Sequence, residues 1–309
     1  MTVEVLLATY NSERYLEPLL ESLAAQTYRD FRLVVSDDVS TDRTLELVDA
    51  WRGRFAHPPR VLRRSVPSGG AAANFAALLA GSRADHVLLA DHDDVWLPDK
   101  VEAGLARVRA LERAHGADVP VLVHGDLEVI DGDGRPVAPS FWAFKSIRPE
   151  YGSRLRTALM HPTVTGCTAV LNRSLVERVG SIPPAAVMHD WWIGLVAAAF
   201  GVVDHDPEPR IRYRIHGGNV SAPQRSSLVG ALRRLPAPAD VRRWVGLRVD
   251  QGELFLETYR DDLPAASRRA LEELVSVRRT GPVARRRTIV RGGFVSPDLW
   301  RTAATLAFI

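Results

Sequence analysis

Cysteine is almost absent from this chain: Cys167 stands alone among 309 residues. A single thiol closes no internal disulfide, so the fold must rest on its core, and a reducing cytoplasm is the expected setting. Lysine is nearly as scarce, with Lys100 and Lys145 alone beside many arginines. No apolar run approaches the roughly 20 residues that cross a bilayer. The opening MTVEVLLATYN has no basic leader and reads as a first strand, not as a signal peptide. Motifs are missing too. No G-x-G-x-x-G follows the first apolar run and no G-x-x-x-x-G-K-[ST] occurs, which excludes a Rossmann dehydrogenase and a P-loop NTPase. A G-x-S-x-G elbow and a zinc-spaced Cys/His cluster are absent as well. Nucleic-acid binding would rest on the arginines of the tail alone, and none is expected.

What remains is an ordinary globular composition, 46% hydrophobic and 25% charged. Its charge is uneven. Residues 1–224 carry a balance of −4 and residues 225–309 one of +7, which together make the net +3. An acidic front and a basic tail imply different surroundings for each.

The first half alternates strand and helix patterns. Apolar runs at 3–8, 31–38, 60–65, 86–91 and 119–131 predict strands. Helical spacing falls between them at 12–26, 40–51, 70–82 and 98–116, with Ser12 and then Ser40 or Thr41 placed to cap the first two. This β-α-β-α order predicts an α/β domain with a mostly parallel sheet buried on both faces. Beyond Phe141, strands are expected at 163–172 and 208–219 and an apolar helix at 189–201. After Ser221 come Arg-rich amphipathic helices, broken near Pro236–Pro238, Pro264 and Gly281–Pro282.

Ligand sites in such sheets lie at the carboxyl ends of the strands, and the polar clusters fall there. VLLADHDDVWLPDK (87–100) packs acids directly behind an apolar strand. Asp91, Asp93 and Asp94 offer hard oxygens suited to a magnesium-like cation carrying a diphosphate. The same run suits a solvated turn that caps the next helix through Asp94 or Asp99. SDDVSTD (36–42) presents Asp37 and Asp38 at a strand end, where a carboxylate can meet a nucleobase or ribose. Asp190 opens the helix HDWWIGLVAAAFG (189–201); the helix dipole favours an acid there, and so would a general base. In YRIHGGN (213–219), Arg214 and His216 lie one pleat repeat apart and could meet phosphate oxygens.

Five segments in order, 6–48, 69–100, 166–177, 189–201 and 213–221, resemble the family 2 glycosyltransferases with the GT-A fold. The likeness is greatest to bacterial rhamnosyltransferases of surface polysaccharide assembly. It implies a Rossmann-like GT-A catalytic domain over 1–222 and a helical, Arg-rich C-terminal extension over 225–309. It also implies an inverting transfer of a sugar from a dTDP- or UDP-sugar donor to a glycan or lipid-linked acceptor hydroxyl, with rhamnose as the leaning. By that resemblance Thr9, Tyr10 and Asp38 line the nucleotide pocket. Asp91 and Asp93 form the D-x-D motif that binds Mg2+ or Mn2+, and Asp94 and Trp96 orient the sugar. Asp190 is the catalytic base, and Arg214 and His216 close over the diphosphate. Val39 departs from the family's usual glycine in DDVSTD, at a position where Gly tolerates backbone angles that Val does not.

Two other classes stay open at this point: a sugar nucleotidyltransferase, and a non-catalytic nucleotide-sugar-binding scaffold. The tail is expected to dock on an anionic membrane face, to support self-association as a homo-oligomer, or to serve as a plain helical cap on the domain.

Overall fold

The computed structural model describes residues 1–217, 238–294 and 306. The alternation is present as read. Strands β1 (Val3–Thr9), β2 (Arg32–Asp37), β3 (His57–Arg63) and β4 (His86–Asp91) are separated by helices α1 (Glu13–Ala24), α2 (Thr44–Ala50) and α3 (Ala71–Gly81). A short β5 (Val95–Trp96) precedes α4 (Lys100–His115), β6 (Val121–Gly125), β7 (Glu128–Ile130) and β8 (Pro136–Ala138). Then follow α5 (Phe141–Lys145), α6 (Leu155–Met160), β9 (Val170–Asn172), α7 (Arg173–Val179) and α8 (His189–Phe200). Strands β10 (Val202–Asp206) and β11 (Ile211–Arg214) complete the sheets.

Seven strands form the main sheet in the order β10-β6-β9-β4-β1-β2-β3. All pairs are parallel except those of β9, which runs antiparallel to both β4 and β6. The chain leaves β1 in one direction to β2 and returns on its other side as β4, so the topological switch lies between β1 and β4. Ala8 and Asp91 are partners at the carboxyl end of that pair. A crevice is expected there, because the connections diverge to opposite sides. A second sheet, β5-β11-β7-β8, stands beyond it.

Both faces of the main sheet are covered. Alternate residues of β1 point to opposite sides: Val5 and Leu7 pack with α1 and α4, Leu6 with α3 and α8. Helix α1 buries Leu16, Leu19, Leu20 and Leu23, the stripe read from its spacing. Ser12 sits at its N-cap position, but its hydroxyl accepts from the Tyr10 N–H instead of capping.

Several expected elements need correction. The run 119–131 is two strands in two sheets, parted at Asp126. Its carboxylate accepts the N–H of Leu127 and Trp142 and the hydroxyl of Ser140, which turns the chain. Strand 163–172 shrinks to Val170–Asn172 behind a 3-10 turn at Gly166–Thr168, and strand 208–219 shrinks to Ile211–Arg214. Neither Ser40 nor Thr41 caps α2; Arg43 holds the N-cap position, and Asp42 before it accepts the Thr44 N–H at 3.0 Å. The Val39 φ is +64°, the left-handed conformation that its position implied.

Among the described residues the tail holds the helices α9 (Pro238–Tyr259), α10 (Ala265–Ser276) and α11 (Pro282–Arg291). Breaks at Pro264 and Gly281–Pro282 match the expectation, while Pro236 and the turn at Gly218–Ser221 lie outside the described residues. Val245, Val249, Phe255, Leu271 and Ile289 join one continuous core with Leu6, Val87 and Trp192. The tail is thus packed against the sheet domain through apolar surface. Among the described residues no helix is long and apolar enough to cross a membrane.

Candidate functional site

A cavity of about 440 Å³ opens at the switch point and is lined by Ala8, Asp91, Asp93, Phe141, Gly166, His189 and Asp190, among others. Three segments distant in sequence meet in it. Strand β4 ends at Asp91, and the next three residues cross from the main sheet to the second one, where β5 begins. This crossing explains the position of the acids. They lie in a loop pinned at one end by the main sheet and at the other by the second sheet.

Asp94 is fully buried and accepts the Arg214 N–H at 3.1 Å through Oδ1, while its Oδ2 has no hydrogen-bond partner. The Cys167 thiol lies against Asp91 and Asp94, one ligand atom of each falling within 4.8 Å of the others. Burial, and then the charges of Asp93 and Asp190, push the Asp91 carboxyl up to about 7. Burial with Asp93 and Asp91 holds Asp94 well above the usual carboxylate range. Crowded acids of this kind suit a cation. Their oxygens are the hard donors that Mg2+ or Mn2+ takes, so these residues fit a divalent ion. Burial and the same acids raise the Cys167 thiol, which keeps it protonated and makes it the poorest ligand of the group. The sequence placed the ion on Asp91 and Asp93; in the structure Asp91 groups with Asp94 and Cys167 within 4.8 Å, and Asp93 lines the same cavity as Asp91.

Asp93 is held from the second sheet. His216 Nε2 lies 2.8 Å from its Oδ2, and Arg214 Nε donates to its backbone oxygen at 3.0 Å. Arg214 is itself buried, stacked over Tyr15 at 5.0 Å, and its Nη1 reaches the carbonyls of Asp131 and Gly132. Neither Arg214 nor His216 lines the cavity. In this arrangement they brace the acidic loop from behind.

Asp190 stands in the first turn of α8. Its Oδ1 accepts the Trp191 N–H at 2.7 Å and its Oδ2 the Gly166 N–H at 3.2 Å, which fixes the carboxylate toward the cavity. Gly166 leaves room for the His189 ring, since a Cβ there would come 2.9 Å from Nε2 and force a shift. His189 is buried, stacked on Phe75 at 4.2 Å, and neither ring nitrogen has a partner. Burial lowers its pKa and keeps the ring neutral.

The expected nucleotide residues form a separate group beside β1 and β2. Thr9 donates to Asp37 at 3.0 Å, and Asp37 also takes the Ser40 hydroxyl at 2.6 Å. Asp38 accepts the backbone and hydroxyl of Ser68 at 2.5 and 2.8 Å. Tyr10 is 59% exposed. None of Thr9, Tyr10 and Asp38 lines the 440 Å³ cavity, although Ala8 of the same strand does. Trp96 is buried in the core beneath Lys100, away from the cavity. Sequence reasoning missed His189, Lys145, Tyr213, Leu247 and Arg248 as cavity residues. Only His189 carried a local signal, as the neighbour of Asp190.

A sequence model described as Glycosyl transferase family 2 matches residues 4–180. The chain belongs to that family. Among relatives, it is 27% identical over 225 residues to an uncharacterized glycosyltransferase of Nostoc sp., covering 71% of this chain and 66% of that one. The dTDP-rhamnosyl transferase RfbG of Shigella flexneri is 32% identical over 99 residues, 31% of this chain and 34% of its own. The chain therefore spans less than two thirds of the length of either relative. In structure, this family 2 member resembles Staphylococcus aureus TarS 1–349 in complex with UDP-GlcNAc, with a TM-score of 0.59 at 17% identity, covering 99% and 89% of the two chains. It also resembles the mannosyltransferase PcManGT from Pyrobaculum calidifontis in complex with GDP-Man and Mn2+, with a TM-score of 0.55 at 18% identity, covering 99% and 84%. These likenesses bear out the GT-A fold: a mostly parallel sheet with flanking helices and a helical C-terminal part.

Proposed function

We propose that this protein transfers a sugar from a nucleotide-diphosphate donor to an acceptor hydroxyl with inversion at the anomeric carbon. One observation carries the reading: Asp190, oriented by two backbone N–H groups, faces the same cavity as Asp91 and Asp93. Asp190 takes the proton of the acceptor hydroxyl as general base. The freed oxygen attacks the anomeric carbon from the face opposite the diphosphate; the new glycosidic bond forms as the bond to the diphosphate breaks. A single displacement needs no carboxylate nucleophile, so one base suffices. Asp91, Asp93 and Asp94 would hold a divalent ion, Mg2+ or Mn2+, which when bound supplies positive charge to the diphosphate. Arg214 and His216 hold Asp93 and Asp94 in place for it. Thr9, Tyr10 and Asp38 receive the nucleoside, Asp38 facing the base, and Trp96 supports the acidic loop from the core.

The donor class is a dTDP- or UDP-sugar, with rhamnose favoured by the likeness to the Shigella flexneri protein. The acceptor is a glycan or a lipid-linked saccharide. On α11, exposed Arg286 and Arg287 stand beside exposed Val283 and Val290, a surface suited to anionic head groups.

The test is a panel of dTDP-, UDP- and GDP-sugars with Mg2+ or Mn2+, run on wild type, Asp93→Ala and Asp190→Asn. Consumption of one donor, lost on chelation and in both variants, is the expected result. Release of pyrophosphate from a sugar phosphate and a nucleoside triphosphate would establish a nucleotidyltransferase instead. Nucleotide binding without turnover, even with acceptors supplied, would favour the scaffold.

A further inference from the structure

The cavity that holds the carboxylates also has a basic lining, Lys145 and Arg248. Arg248 comes from α9, beyond the residues that the family match covers. It is 9% exposed. Nε donates to the Met160 carbonyl at 2.9 Å and Nη1 to the Trp244 carbonyl at 3.0 Å. The guanidinium stacks on Trp244 at 3.7 Å and stands 5.6 Å from the ring of Trp191. Carbonyls and ring faces aim the group without neutralising it. Burial alone, with no charged neighbour contributing, pulls its pKa down to about 9, so it stays cationic at neutral pH.

A buried charge costs several kcal/mol unless an opposite charge meets it. Among the described residues none meets Arg248, and Nη2, with no hydrogen bond of its own, remains available. An anionic ligand in the cavity would supply that opposite charge. Two ends of the cavity could supply an anion: the donor diphosphate at Asp91 and Asp93, or the acceptor beside Asp190. Arg248 lies against Trp191, the residue that follows Asp190, which favours the acceptor end.

We propose that Arg248, with Lys145 as the second cation, forms an oxyanion subsite that takes a phosphate group of the acceptor. The word acceptor rests on the transfer reading above; the anion site itself does not. The subsite would make the C-terminal segment a specificity element, selecting phosphate-bearing acceptors such as polyol phosphates or lipid-linked saccharide phosphates.

The probe is phenyl phosphate, followed through the tryptophan fluorescence of the full chain, with neutral phenyl glucoside and benzoate as controls. Wild type is expected to bind phenyl phosphate saturably and at least about tenfold more tightly than Arg248→Gln, the span of one lost charge-assisted pair. Leu247 is 40% exposed on the same lining, so Leu247→Glu sets a carboxylate beside the guanidinium with little risk to the fold. It should weaken phenyl phosphate as strongly, which keeps the test alive if Arg248→Gln fails to fold. UDP affinity with Mn2+ should not change in either variant. Equal phenyl phosphate affinity in wild type and both variants would sink the proposal. So would a matching loss of UDP affinity, which would assign Arg248 to the donor diphosphate, or benzoate binding as tight as phenyl phosphate. If no donor is consumed by wild type, the transfer reading fails while these affinities still stand as measured.

Discussion

His216 Nε2 lies 2.8 Å from Asp93 Oδ2, joining the chain just past β11 to the acidic loop after β4 across 123 positions of sequence. The ring also packs on Tyr15 at 4.8 Å, so three segments meet around one carboxylate. Removing the imidazole takes away one anchor of the Asp93 carboxylate. Replacing His216 with Ala should weaken Mn2+ binding about 10- to 100-fold, as loss of an outer partner usually does. Titration of Mn2+ in the presence of UDP measures it; an unchanged affinity would show that Asp93 needs no such brace.

Asp190→Asn keeps the shape of the side chain and one oxygen to accept the Gly166 or the Trp191 N–H, loses the other contact because its amide nitrogen donates, and cannot take a proton. The turnover number should fall about 10²- to 10⁴-fold, with nucleotide affinity held. A parallel loss of nucleotide affinity would mean that the residue acts in binding and not as a base.

Asp91 carries a pH signature. Its folded pKa is about 7, raised by burial and by Asp93 and Asp190, against roughly 4 in an unfolded chain. Between those values the folded state holds the extra proton, so this group's contribution to stability falls as pH rises from about 4 to 7. Asp42 and Asp85, both lowered by hydrogen bonds, pull oppositely at more acid pH, so the quantity to follow is wild type against Asp91→Asn. The variant should gain melting temperature relative to wild type across that window in EDTA. Mn2+ binds the ionised form and should shrink the gap.

Val39 holds φ at +64°, a conformation that costs a β-branched residue about 1–2 kcal/mol. Val39→Gly should stabilise the protein by about 0.5–1 kcal/mol after the added freedom of the unfolded chain is counted. Thermal melting decides it, and a lower melting temperature would show that the Val39 side chain contributes more through packing than its backbone loses.

Phe255 is fully buried in the tail and meets Trp192 of α8 edge-on at 5.2 Å. Phe255→Ala should cost about 3–5 kcal/mol and lower the single unfolding transition of the whole chain. Two separate transitions, only one of them shifted, would mean that the tail folds as an independent unit.

The alternating half of the fold was legible because its physics is local. Leu16, Leu19, Leu20 and Leu23 make a stripe at helical spacing, and the strands β1, β2 and β4, buried on both faces, read as unbroken apolar runs. The second half was not. Strands of three to five residues such as β7, β9 and β10 are too short to show a period, and only Asp126, by capping a turn, parts β6 from β7.

The acids were legible in the same way, as polar clusters at the ends of apolar runs, and Asp91, Asp93 and Asp190 do meet in one cavity. Sequence alone determined the α/β alternation, the five ordered segments and the carboxylates at the strand ends. Tertiary structure decided which of them face the cavity and which brace it. Arg214 and His216 looked like phosphate ligands, yet Arg214 reaches backbone carbonyls and His216 reaches Asp93. Arg248 carried no signal at all. Its neighbours in sequence are those of any amphipathic helix, and its burial without an ion pair among the described residues exists only once α9 is packed against α6 and α8. A side chain's charge is written in the chain, but whether that charge is compensated depends on distances the chain sets only by folding.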